Sequence, residues 1–270
     1  MRTFTLPAVL SVAGSDSSGG AGIQADIKTI QAMGLFAETA VTALTAQNTR
    51  GVTAVANTEP AMVAAQIDAV FADIPPAAVK VGMVSSAGII RAIAAALRSH
   101  GAENVVVDPV MVATSGARLI DGDAVAALEQ GLFPIARVIT PNLAEAGVLT
   151  GKEIASKEDM EGAALELCGR FGCAALVKGG HLAGDADDVL AEGDGSGRID
   201  LTWLPGERID TANTHGTGCT LSSAIACGLA RGLALPRAVG QAKAYLAGAL
   251  AAGLDLGAGS GPVDHLWRYR

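Results

Sequence analysis

Thr211-Ala212-Asn213-Thr214-His215-Gly216-Thr217-Gly218-Cys219-Thr220 leads straight into Leu221 to Gly232, a run that reads as a helix. Two glycines stand where a strand is expected to end and a helix to begin. The N–H groups freed at a helix start point outward, and the helix dipole adds partial positive charge. Gly216, Thr217, Gly218 and Cys219 therefore suit an anion, most naturally a phosphoryl group in transfer. Cys219 stands at the helix mouth, where a thiol pKa is expected to fall. A Gly-rich loop around a buried small residue is the plainer reading of one such motif, so the rest of the chain decides.

Working outward, short β-branched runs alternate with longer helical ones. Ala8 to Ala13, Thr39 to Ala46, Val79 to Met83, Asn104 to Asp108, Val138 to Thr140 and Ala174 to Lys178 read as strands. Gly22 to Met33, a helix opened by Pro60, Ala87 to Ser99, a helix from Asp121, one capped by Asn142 and one from Ser156 to Phe171 fall between them. Asp187–Ala191 and Arg198–Trp203 flank a Gly-rich turn and predict an antiparallel edge. Val52 to Asn57 is a further segment able to pair with a neighbour. Thr217–Gly232 and Pro236–Leu254 predict two closing helices. This is the rhythm of an α/β, doubly wound, mostly parallel central sheet with helices on both faces. No linker or repeat divides residues 1–270, so one domain is expected.

Half of the 270 residues are hydrophobic and only 3% are aromatic, which suits close helix-on-sheet packing. The formal charge of −8 and the lack of any long basic run speak against nucleic acid. Four cysteines without CxxC spacing point to a reducing cytoplasm rather than a disulfide framework. Val9 to Ala13 is too short for a signal segment, and no run approaches a membrane span.

Ligands of such sheets sit beyond the carboxyl ends of the strands. Ala13-Gly14-Ser15-Asp16-Ser17-Ser18-Gly19-Gly20-Ala21-Gly22 resembles a phosphate loop in composition, but Asp16 would repel a phosphate, so it reads as backbone closing over a small substrate. Asp26 reads either as an acid complementing the helix dipole or as an acceptor for substrate donors; spacing does not choose. Asp108-Pro109-Val110-Met111 and Thr140-Pro141-Asn142-Leu143-Ala144-Glu145 supply two carboxylates suited to Mg²⁺ held through water. Either one alone reads more readily as a cap or surface group. Lys178-Gly179-Gly180-His181 adds a strand-end cation for a nucleotide phosphate. Together with the helix terminus these suggest nucleotide-dependent phosphoryl transfer. His181 and His215 lack partners at metal-ligand spacing. Met83 reads as core more readily than as a ligand contact.

The first glycine loop with Ile23-Gln24-Ala25-Asp26, then Thr45-Ala46-Gln47-Asn48-Thr49, Thr140-Pro141-Asn142, Lys178-Gly179-Gly180-His181 and Asn213 to Thr220 occur in this order. Together with Gly261-Pro262-Val263-Asp264-His265-Leu266-Trp267, the chain closely resembles the hydroxymethylpyrimidine/phosphomethylpyrimidine kinases of thiamin biosynthesis, in the ribokinase-like superfamily. The resemblance covers essentially the whole chain. It implies a fold without a separate lid domain and two successive ATP-dependent phosphorylations, of 4-amino-5-hydroxymethyl-2-methylpyrimidine and of its monophosphate. It places Gly14, Asp26, Gln47, Met83 and Val110 around the pyrimidine, Asn142, Lys178 and Thr214 at the nucleotide, and Asp108 and Glu145 on the Mg²⁺ side. A monovalent cation is left open. Gly216 to Cys219 would form the anion hole, with Cys219 standing where related sugar kinases carry an Asp base. It also implies a cytoplasmic homodimer. Two other readings remain: a pyridoxal kinase of the same superfamily, and a non-catalytic binding protein that kept the fold.

Overall fold

A computed structural model describes residues 5–111, 122–180, 182 and 184–270. Its strands are β1 (Ala8–Asp16), β2 (Phe36–Asn48), β3 (Gly51–Asn57), β4 (Ala78–Val81), β5 (Val105–Val107), β6 (Val138–Ile139), β7 (Ala174–Lys178), β8 (Asp188–Gly193) and β9 (Ile199–Leu204). All join one sheet in the order β3-β2-β1-β4-β5-β6-β7-β8-β9. The strands from β2 to β7 are parallel, while β3, β8 and β9 run antiparallel at the two edges.

The helices are α1 (Gly22–Ala32), α2 (Pro60–Asp73), α3 (Ala87–Ser99), α4 (Gly122–Ala127), α5 (Leu143–Thr150), α6 (Lys157–Phe171), α7 (Thr217–Ala230) and α8 (Leu235–Ala251). Local chemistry sets several boundaries. Asn142 and Ser156 each accept a hydrogen bond from the third helical residue, which returns it through Glu145 or Asp159. Pro60 opens α2, where its missing N–H is harmless.

Two apolar layers flank the sheet. Ile67, Ile90, Ile93, Ala146 and Leu167 pack on one face, and Ile30, Ile225, Val239 and Tyr245 on the other. The doubly wound expectation therefore holds. β2 and β4 flank β1 on opposite sides and the strand order reverses there, so a crevice opens beyond the carboxyl ends of β1 and β4.

Two boundaries differ from expectation. β2 runs to thirteen residues because β1 pairs along its first part and β3 along its last. No strand ends at the glycines before α7: β9 stops at Leu204, and a long loop carries the chain across to Gly216. The expected helix start at Asp121 lies outside the described residues, as does His181.

Candidate active site

Gly216 is the N-cap of α7, with φ of +83°, a conformation open to glycine. A Cβ at this position would strike the carbonyl oxygen of Gly20. The first glycine loop and the α7 terminus therefore touch backbone to backbone. A Cβ on Gly218 would come 3.0 Å from Asp108 Oδ2 and 3.7 Å from Lys178 Nζ. The α7 terminus, a carboxylate and an ammonium thus share one small space, although they come from three distant parts of the chain.

Asp108 follows β5 and is buried. Its Oδ1 accepts from Thr140 Oγ1 at 2.9 Å and from Lys178 Nζ at 2.9 Å. Burial works against the Lys178 ammonium, but Asp108, Glu145 and Asp188 outweigh it, so its pKa lies above the ordinary lysine value. Glu145 is buried beside the same pair, and burial lifts its carboxyl to about 7 against the pull of Lys178. Its Oε2 accepts from Asn142 N at 2.8 Å, and Asn142 Oδ1 accepts from Glu145 N at 2.9 Å. Asn142 thus holds the carboxylate in place, and the Lys178 N–H binds Pro141 O next to it. Asp188 accepts from Gly179 N at 2.9 Å and so shapes the loop after Lys178. Thr217 opens α7, and Thr214 lies exposed at the rim with its hydroxyl 3.0 Å from Ser260 Oγ.

Cys219 departs from expectation. Burial pushes its thiol up to about 11; Lys80 pulls it down, while Asp26 and Asp108 push it up further. A helix terminus alone does not produce a thiolate here, because the surroundings are short of water and carry two carboxylates.

On the other side of the crevice, a Cβ on Gly14 would collide with the Met83 methyl, so the two residues are in contact. Thr42 Oγ1 holds the Met83 carbonyl at 3.0 Å. The half-buried Val110 follows Asp108 on the same loop, its N–H donating to the Asp108 carbonyl. Gln47, near the end of β2, projects towards His215.

Asp26 requires correction. It lies beyond the first turn of α1 with no exposed surface. Its two oxygens accept from Lys80 Nζ at 2.9 and 2.8 Å, Ser11 Oγ at 2.5 Å and Ser223 Oγ at 2.8 Å. With each oxygen bonded twice, no acceptor remains for a substrate. Asp26 is the counterion of a fully buried Lys80 that ties β4, α1 and α7 together. Leaving either charge alone would cost about 3–5 kcal/mol.

Asp16 and His215 have roles that the sequence reading missed. Asp16 accepts from the N–H groups of Ser18, Gly20 and Ala21 and from His215 Nε2 at 2.8 Å. Burial would raise its carboxyl, but His215, Ser18 and Ala21 hold it at about 2. The acid folds the glycine loop around itself and fastens it to His215, just before α7.

A family model described as phosphomethylpyrimidine kinase matches residues 16–264. The chain belongs to the phosphomethylpyrimidine kinase family. The hydroxymethylpyrimidine/phosphomethylpyrimidine kinase of Rhizobium meliloti is 54% identical over 264 residues, covering 96% of this chain and 97% of the relative. The crystal structure of phosphomethylpyrimidine kinase from Clostridium difficile 630 is 42% identical, with a TM-score of 0.77 over 89% of this chain and 97% of that one. The Bacillus subtilis pyridoxal kinase in complex with ADP is 35% identical, with a TM-score of 0.88 over 97% and 98%. Membership of a kinase family sets aside the non-catalytic reading. Among the described residues no helix is long and apolar enough to cross a membrane.

Proposed function

We propose that residues 1–270 form one kinase domain that moves the γ-phosphoryl group of ATP twice. The first acceptor is the hydroxymethyl group of 4-amino-5-hydroxymethyl-2-methylpyrimidine, and the second is the monophosphate so formed. The meeting of the α7 terminus with Asp108 and Lys178 at Gly218 carries this reading. N–H donors and a cation are already aimed at one point, so charge developing on a transferring phosphoryl group is met without reorganisation.

In the first step the alcohol oxygen bonds to the γ-phosphorus while the bond to the bridging oxygen breaks and ADP leaves. The alcohol proton needs an acceptor, and we assign it to the thiolate form of Cys219. In the second step the nucleophile is a phosphate oxygen already ionised at neutral pH, so the task is to neutralise two meeting anions. Lys178 and the α7 N–H groups serve both steps. Gly14, Met83, Val110 and Gln47 form the pyrimidine wall, with Thr214 and Asn142 towards the nucleotide.

Among the described residues no cluster of three or more His, Cys, Asp and Glu could hold a metal alone. Two buried carboxylates beside an anion site nevertheless suit Mg²⁺, which keeps much of its water and takes phosphate oxygens as ligands. Asp108 and Glu145 would hold it, and its charge would offset that of the phosphates.

Cytoplasmic location and a homodimer belong to this proposal. At the sheet edge, residues 53–57 of β3 are exposed, and Val55 and the neighbouring Leu44 remain 48% and 60% accessible, which suits a second copy. Light scattering on the purified chain tests that assembly.

Mass spectrometry of products from the pyrimidine alcohol, ATP and Mg²⁺ tests the chemistry. One and then two added phosphoryl groups are expected; no phosphorylated pyrimidine would refute the proposal. Pyridoxal is the second reading, because a pyridoxal kinase is a structural relative at 35% identity. Turnover of the pyrimidine monophosphate separates the two, since pyridoxal phosphate offers no matching second step.

A further inference from the structure

Gln47 sits in a small hydrogen-bond cluster beside the phosphoryl-transfer centre. Ser17 fixes its main chain in both directions. Ser17 Oγ donates to the Gln47 carbonyl at 2.7 Å and accepts from its N–H at 2.8 Å. The side chain lies between Thr45 and His215.

The Thr45 hydroxyl has one proton, and it lies 2.9 Å from the carbonyl oxygen of Ser15, which can only accept. Its other neighbour is Gln47 Oε1 at 3.1 Å. A second acceptor thus faces a hydroxyl with no proton left. At the other end, Gln47 Nε2 lies 3.5 Å from His215 Nε2. That imidazole nitrogen is 2.8 Å from Asp16 Oδ2. The Asp16 carboxyl is held at about 2, so at neutral pH it only accepts and the nitrogen carries a proton. Two N–H groups would then face each other.

The two ends of a carboxamide have the same shape, and their partners decide its orientation. A half-turn of the terminal torsion removes both conflicts at once. We infer that Thr45 and His215 lock the Gln47 amide with its nitrogen towards Thr45 and its carbonyl oxygen left to accept from a ligand N–H. Thr45 is then a positioning residue that sets specificity through Gln47. This rests on the proposed pyrimidine reading. A fixed acceptor welcomes a ring amine and opposes an ether oxygen at the same position, whereas an amide free to turn would tolerate both.

The experiment measures kcat/KM of the full chain for 4-amino-5-hydroxymethyl-2-methylpyrimidine and for its 4-methoxy analogue. A site built around one hydrogen bond is expected to prefer the amine by about a hundredfold or more. Thr45→Val should cut that preference about tenfold, the loss of roughly one hydrogen bond, and Thr45→Ser should keep it. A preference unchanged within about a factor of two in Thr45→Val overturns the lock. In the unmodified protein, nuclear Overhauser contacts from the Gln47 amide protons to the Thr45 methyl support the lock; contacts to the His215 ring alone overturn it. If neither pyrimidine is phosphorylated, the kinase proposal fails, while the Overhauser contacts still decide the lock.

Discussion

At the scale of single residues, the α7 terminus makes two sharp demands. A valine at Gly218 would place its branches against Asp108 Oδ2, already 3.0 Å from the position of a Cβ. Gly218→Val should lower turnover by about a hundredfold or more while the chain still folds; a circular dichroism spectrum and initial rates check both. Cys219 makes the second demand. With its thiol held at about 11, the thiolate fraction rises tenfold for each pH unit through the neutral and mildly alkaline range. If the thiolate takes the alcohol proton, the alcohol step should climb with pH between 7 and 9 and the monophosphate step should stay flat. Cys219→Ala should abolish that slope and damage the first step far more than the second. Equal slowing of both steps, each assayed separately, would reduce Cys219 to a member of the anion hole. The helix-mouth position of this thiol was legible from Gly216 and Gly218. Its raised pKa was not, because desolvation and the carboxylates of Asp26 and Asp108 come from elsewhere in the chain.

At the scale of elements, the helices α3 and α6 could be read almost to the residue, and α5 at its start. Their signals are local: Ser86, Asn142 and Ser156 each cap the helix that follows. Side-chain partners across elements could not be read. Asp26 looks like an ordinary helix acid until Lys80, on strand β4, is set against it. Glu38 on β2 is a comparable case. It is buried, Oε2 has no hydrogen-bond partner, and burial with Asp73 nearby lifts its carboxyl to about 7. The sign follows directly. The folded state holds this proton more tightly than the unfolded chain, whose value is near 4.5. Stability from this group is therefore full below about 4.5 and is lost as pH rises through 7. Glu38→Gln should raise the urea midpoint at pH 8 and change it little at pH 4.5. The same gain at both pH values would contradict that account. For the metal, Asp108→Asn and Glu145→Gln should each raise the Mg²⁺ concentration needed for half-maximal rate. An unchanged titration in both would remove them from the metal side.

At the scale of the whole molecule, the sheet order places the expected loops along one edge of the parallel strands. The rhythm of short apolar runs was enough to foresee that. What closes the site is a junction between segments far apart in the sequence. His215 binds Asp16, 199 positions earlier, and its N–H donates to the Gly261 carbonyl at 3.0 Å. Beyond Pro262, the tail continues to Trp267, which lies over Gly248 of α8. The glycine loop is therefore clamped by residues about two hundred positions later in the sequence. Loss of that clamp would leave the sheet in place but no working site. Removing residues 261–270 should accordingly keep most of the secondary structure, read by circular dichroism, yet abolish both phosphorylation steps, and full activity in the shortened chain would contradict the clamp.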